Sequence, residues 1–162
     1  MGGTVASGLR QGDRGLMMAG YVKATGLLQV QNHGTSSWVK IPLKYIKIEE
    51  YQVTPDQMLD LDSYRSETGK LIRNPLAHTA TKVEFTTPHI YRPDLNALLK
   101  IIKDGFISAK ARDVKLKYYD QYTDDYKTGH FYVPDIEFTI NHIDEDAGTI
   151  LYNPVRIAFI EY

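Results

Sequence analysis

No cysteine occurs among the 162 residues. That excludes a disulfide framework, a cysteine-ligated zinc site and a thiol nucleophile, and it fits a chain folded inside the cell. No stretch approaches the roughly 20 apolar residues of a membrane span, and the amino-terminus lacks the apolar centre of a signal peptide. A soluble protein with no membrane partner is expected. Charge of one sign is also missing, because 19 Lys and Arg stand against 20 Asp and Glu for a net charge of -1. Nucleic acid would therefore have to be held by a local patch rather than by the field of the whole chain.

Catalytic motifs are absent as well. The five histidines, His33, His78, His89, His130 and His142, include no HExxH and no i, i+4 pair, so they lack a helical zinc-binding spacing. Asp144, Asp146 and Gly148 begin like a calcium loop, but the third ligand position falls on Gly148 and the closing carboxylate position on Val155. Gly69-Lys70 is followed by Leu71 where a phosphate loop needs Ser or Thr, and Tyr64 stands where it needs its first glycine. There is no GxSxG or GxGxxG. The carboxylate pairs Asp60/Asp62 and Asp124/Asp125 lie in loops full of turn formers, and neither is expected beside an apolar pocket residue that would raise one pKa. These absences lead to the expectation of a non-enzyme with no catalytic residue, metal or cofactor.

What is present supports one domain with an ordinary core: hydrophobic residues make up 43% and charged residues 24%. Residues 1–26 hold seven of the twelve glycines and few apolar residues beyond Leu9, Leu16, Met17 and Met18. Such a segment loses too much chain entropy to fold alone. It is expected to be an extended arm that a partner holds, leaving residues 27–162 as a single β-rich domain. Leu27 to Gln31 and Ser37 to Leu43 form a first hairpin around Asn32-His33-Gly34. Tyr45 to Val53 alternates as a strand, and Thr54 to Asn74, rich in Pro, Asp, Ser and Gly, is expected to be a long loop. Thr79 to Thr87 is a strand with Val83 and Phe85 inward and Lys82 and Glu84 outward. Pro93 to Asp104 is the one convincing helix, with Pro93 and Asp94 at its start, Gly105 after its end, and Leu95, Leu98, Leu99 and Ile102 on one face. The last strand, Thr149 to Tyr162, breaks near Asn153-Pro154. Its end, Arg156 to Ile160, is apolar on both faces and is expected mid-sheet or beneath the helix.

Between the helix and that strand, Asp113 to Asn141 is expected to form a long hairpin arm. Val114, Leu116 and Tyr118 line one face of its first strand; Ile136, Phe138 and Ile140 line one face of its return strand. Its tip, Asp120 to Gly129, is tyrosine-rich. Tyr118, Tyr119, Tyr122, Tyr126 and Tyr132 with Lys115, Lys117 and Lys127 could stack on single-stranded nucleic acid, but Asp120, Asp124 and Asp125 cancel the local field. A protein interface suits the tyrosines better.

Two stretches, Asp60-Leu-Asp-Ser-Tyr-Arg-Ser-Glu-Thr-Gly-Lys-Leu-Ile-Arg73 and Tyr119-Asp-Gln-Tyr-Thr-Asp-Asp-Tyr-Lys-Thr-Gly-His-Phe-Tyr-Val-Pro-Asp135, resemble a family of small tail and baseplate proteins of long-tailed bacteriophages and prophages. Asp60, Ser63, Gly69 and Arg73 match that family's loop, and Thr128, Gly129, Phe131, Tyr132 and Val133 match its hairpin. Arg65 falls one position early and Tyr64 replaces a small residue. The resemblance covers roughly residues 44–162. It implies a tail-tube-like or tail-hub-like fold: a mainly β (α+β) antiparallel β-sandwich or barrel, flanked by one helix. Its partners would be copies of itself in a ring, commonly hexameric, and neighbouring tail proteins, with DNA passing non-specifically through the lumen of a virion tail assembled in the host cytoplasm. Asp62, Tyr64, Arg65, Arg73, Tyr119, Tyr122, Tyr126, Phe131 and Tyr132, with Leu16, Met17 and Met18 of the arm, are then candidate subunit contacts. Lys82, Glu84, Lys115 and Lys117 are candidate lumen residues. The alternative is a non-enzymatic adaptor that recognises a cell-surface glycan or protein through the tyrosine-rich hairpin.

Overall fold

A computed structural model of the chain describes residues 20–60, 64–72 and 75–162. Among them the strands are β1 (Leu28–Gln31), β2 (Trp38–Lys40), β3 (Gln52–Asp60), β4 (Tyr64–Arg65), β5 (Leu71–Ile72), β6 (Pro75–Thr86), β7 (Ile90–Tyr91), β8 (Asp113–Asp120), β9 (Asp125–Tyr132), β10 (Ile140–Asp144), β11 (Thr149–Tyr152) and β12 (Arg156–Glu161), with one helix, α1 (Arg92–Asp104). Seven strands form one sheet in the order β2-β1-β8-β9-β12-β6-β3, three form a second in the order β10-β11-β7, and β4 and β5 pair alone. All pairings are antiparallel. The protein is therefore mainly β with a single helix among the described residues. Among the described residues its large sheet is open, ending at β2 and β3, and does not close into a barrel.

Alternation assigns the two faces of the large sheet. Leu28, Val30, Val114, Leu116, Tyr118, Phe131, Ile157, Phe159, Val83 and Phe85 point inward and are buried. They join Leu95, Leu98 and Ile102 of α1, and Ile90 and Tyr152 of the small sheet, in one core. As expected from its two apolar faces, β12 lies inside the sheet, between β9 and β6. The helix also forms where expected, with proline in its first turn and Asp94 at the positive end of its dipole. Its termination has a different cause from a left-handed glycine cap. Gly105 has φ -86°, open to any residue, but a β-carbon there would lie 2.3 Å from Val30 Cγ1. Glycine is required because the helix end presses against β1, and in the turn after that strand the His33 amide bonds the Asp104 carbonyl at 2.9 Å.

Three expectations are corrected. The return strand of the long hairpin is β9, not Ile136 to Ile140, and the tip is the four residues Gln121–Asp124, because Asp125 pairs with Asp120. The inward side of β9 carries Lys127, Gly129 and Phe131, so its hydrophobic alternation is hidden. Lys127 instead meets the buried Asp120 at 3.0 Å. A β-carbon at Gly129 would lie 2.8 Å from the Phe131 ring and 3.0 Å from Glu161. Residues 133–139 run on outside any strand.

Tyr45 to Val53 is not one strand. Leu43–Tyr45 and Ile48–Glu50 form two 3-10 turns, started by the Tyr45 amide bonding the Pro42 carbonyl. Tyr45 and Ile46 are both buried while Ile48 faces solvent, which no alternating strand allows. The long loop is replaced by β3 and the β4–β5 hairpin. Pro55 and Asp56 are accommodated at a register shift between Thr54 and Gln57, where Asp56 takes φ 46° on an edge strand.

Candidate interaction surfaces

The outer face of the large sheet collects the four lumen candidates. Lys82 and Glu84 lie on β6 and Lys115 and Lys117 on β8, all opposite in sense to the buried Val83, Phe85, Leu116 and Tyr118. Glu84 is bracketed by Lys82 at 2.8 Å and by the Arg156 guanidinium. Burial alone would raise its carboxyl pKa, but these two cations outweigh that and hold it below the ordinary value. Lys117 sits 4.9 Å from the centre of the Trp38 ring, a cation–π contact. Lys115 faces His130 across β8 and β9. His130 meets Asp113 at 2.7 Å and stacks on Tyr162, and Tyr132 packs edge-on to the same Tyr162 ring. The His130 bond is the main cause holding the Asp113 carboxyl low.

At the tip of the β8–β9 hairpin the tyrosines divide. Tyr119 packs edge-on against Tyr21 and Tyr126. Its hydroxyl donates to Asp124, and that carboxylate, followed by burial, pushes the phenol up to about 12. The Tyr126 hydroxyl accepts the Val22 amide at 2.9 Å and donates to the Gly26 carbonyl at 2.6 Å. Residues 20–26, the described end of the arm, are thus tied to this sheet face, aided by Lys40 donating to the Lys23 carbonyl at 3.1 Å. Tyr122 stands apart at the turn, 82% exposed. Phe131 is not a surface contact, being wholly buried in the core edge-on to Tyr118.

Beneath the tip, on the core side, Asp120 accepts from Lys127, the Tyr122 amide and Thr123. Burial would raise its pKa, but these donors outweigh it and the carboxyl is held low. Nearby, the Tyr51 hydroxyl donates to the Tyr119 carbonyl at 2.8 Å, and burial is the largest cause raising its pKa.

Tyr64 and Arg65 lie on the small β4–β5 hairpin, where Tyr64 and Leu71 are exposed and Arg65 donates to the Gly69 carbonyl at 2.9 Å. Asp62, Arg73, Leu16, Met17 and Met18 fall outside the described residues.

A groove that the sequence did not reveal opens between α1 and residues 133–138. It measures about 430 Å³, with Leu99, Ile102, Phe106, Val133, Ile136 and Phe138 among its walls and Arg92, Lys103 and Arg112 at its rim. Arg92 donates to the Tyr152 hydroxyl at 2.6 Å, and no carboxylate pairs with it among the described residues. Arg112 pairs with Asp135 at 2.7 Å. Ile136 and Phe138, expected on a strand's buried face, are groove walls instead. Three distant segments build it, so no local pattern signals it. Beside it the β10–β11 hairpin projects, every residue of β10 exposed. Among the described residues no group of three His, Asp or Glu is placed to hold a metal, and no helix is long and apolar enough to cross a membrane.

Together these features define a mainly β protein, with a single helix among the described residues, that offers a patterned sheet face, projecting hairpins and an apolar groove. Residues 33–162 match the family of unknown function DUF6711, and the chain belongs to that family. No curated protein matches it.

Proposed function

We propose that the protein is a structural subunit of a bacteriophage tail that assembles with its own copies into a ring, hexameric by the resemblance above, as part of the tail tube, hub or baseplate. The observation that carries this reading is the apolar surface on its projecting hairpins. Ile140 and Ile143 on β10 are 49% and 51% exposed, and Tyr64 and Leu71 are exposed on the β4–β5 hairpin. With the edges of β2 and β3, which pair with no further strand among the described residues, these are aggregation liabilities in an isolated monomer and contacts in an assembly. The large sheet forms one layer of a sandwich, and α1 with the small sheet forms the other.

The outer face of the large sheet suits a channel for DNA. Its cations are partly engaged, Lys82 and Arg156 by Glu84 and Lys117 by Trp38, so passing phosphates meet no dense cationic patch to arrest them. A glycan-binding adaptor is less well supported, because Tyr119 and Tyr126 of the tip are engaged by residues 21–26 and Tyr122 is the tip tyrosine left exposed among the described residues. Negative-stain images of the concentrated protein test the proposal. Rings or short tubes support it; uniformly small particles, alone or mixed with other tail components, reject it.

A further inference from the structure

Resting on that assembly reading, we infer that the contact between copies is made by the β10–β11 hairpin of one subunit lying in the cation-rimmed apolar groove of the next. The two surfaces complement each other in charge. The turn between β10 and β11 carries Asp144, Glu145 and Asp146 in succession, and none of the three has a cation partner among the described residues. Asp144 shapes the turn, its carboxylate accepting the Asp146 and Ala147 amides at 3.1 Å each, which leaves Glu145 and Asp146 projecting. The groove rim carries Arg92, whose only polar partner among the described residues is the neutral Tyr152 hydroxyl, and Lys103, which has no carboxylate partner among them.

Apolar complementarity runs alongside. Ile143 pairs across the hairpin with Ile150, and Ile150 packs on the core next to Tyr152. Tyr152 meets Phe138 edge-on at 6.5 Å, so the groove wall continues onto the hairpin without a polar break. A volume of about 430 Å³ alone also suits a small amphipathic acid. Beyond it Ile140 and Ile143 are half-exposed on the hairpin, and neither lines the groove that such a ligand would fill. A second copy supplies both what the groove lacks, carboxylates and aliphatic side chains, and a groove for the first copy's hairpin. Hairpin to groove is a heterologous contact, the kind that closes a ring when its rotation permits.

Charge reversal tests this on the full chain. Glu145→Lys with Asp146→Lys reverses the hairpin and spares the turn-forming Asp144; Arg92→Glu with Lys103→Glu reverses the rim. Analytical ultracentrifugation is expected to show that either pair raises the dissociation concentration of the assembly at least about tenfold. Mixing the two variants in equal amounts restores assembly, because every hairpin then meets a groove of opposite charge in alternating order. Circular dichroism spectra matching the wild type exclude misfolding as the cause of either loss. Assemblies unmoved by both reversals overturn the inference while leaving the assembly reading intact. A wild-type protein that stays monomeric at every concentration overturns both. Dodecanoate binding to the groove, with assembly unmoved by the reversals, assigns the groove to a small amphipathic acid and likewise overturns the inference.

Discussion

Replacing Gly105 by alanine probes the junction that holds the groove-bearing helix to the large sheet. The backbone at Gly105 suits alanine, since φ is -86°, so any loss is steric. The added methyl would sit 2.3 Å from Val30 Cγ1, 3.1 Å from the Gln31 carbonyl oxygen and 3.2 Å from that of Ile102. Carbon atoms rest about 3.5–4.0 Å apart, so helix and strand must separate by roughly 1 Å. Val30 cannot yield easily, being fully buried and fixed between Val39 and Leu116 by the sheet register. Lifting the helix end strains the His33–Asp104 bond. Overpacking costs about 1–3 kcal/mol, and this site belongs near the top of that range. At about 2–4 °C per kcal/mol for a chain of this size, the midpoint of thermal unfolding falls by about 5–10 °C. Urea unfolding of Gly105→Ala, Val30→Ala and the double variant completes the test. Removing the Val30 methyls makes room for the new one, so the double variant is less destabilised than the sum by at least about 1 kcal/mol. A Gly105→Ala protein within about 0.5 kcal/mol of wild type, or strictly additive effects, would mean that Val30 does not crowd this position.

Two further outcomes follow from the sheet and its tip. Tyr126→Phe removes the hydroxyl that ties Val22 and Gly26 to the hairpin, and costs about 1 kcal/mol. Amide exchange of residues 22–26 is expected to speed up while that of β8 and β9 stays unchanged; equal rates for residues 22–26 in both proteins would mean that other contacts hold the segment. Asp113 and Asp120, ordinarily near 3.8, and Glu84, ordinarily near 4.5, are all held low in the fold. A depressed folded-state pKa stabilises above the unfolded value and that stability is lost as pH falls through the folded one. Unfolding free energy is therefore expected to decline below about pH 4. Asp120→Asn lowers stability at neutral pH and flattens that acid limb; an unchanged limb would count against the Asp120–Lys127 account.

The sequence disclosed those elements whose burial pattern is local. Leu95, Leu98 and Ile102 recur at helical spacing because α1 buries one stripe, and Ile157 to Ile160 is apolar throughout because β12 lies inside the sheet. Lys82, Glu84, Lys115 and Lys117 were legible as outward residues for the same reason. What stayed hidden depends on partners distant in the chain. The inward side of β9 carries Lys127 because Asp120 waits across the hairpin, and Gly129 because the Phe131 ring and Glu161 crowd it. The edge strand β3 contains Pro55 and Asp56, which mimic a loop unless the bulge against β6 is known. Tyr122, Tyr126 and Phe131 seemed equivalent aromatics in one motif, yet one is free, one fastens residues 20–26 and one is core. The groove has walls from α1, Phe106 and residues 133–138, so periodicity within any one segment could not announce it.

The native mass of the full-length protein, measured by light scattering over a range of concentrations and repeated after deletion of residues 1–26, tests the proposed assembly most directly. One discrete species near six subunits, which loses order without the arm, is expected. A monomer that persists at every concentration, alone and with other tail components, would contradict it.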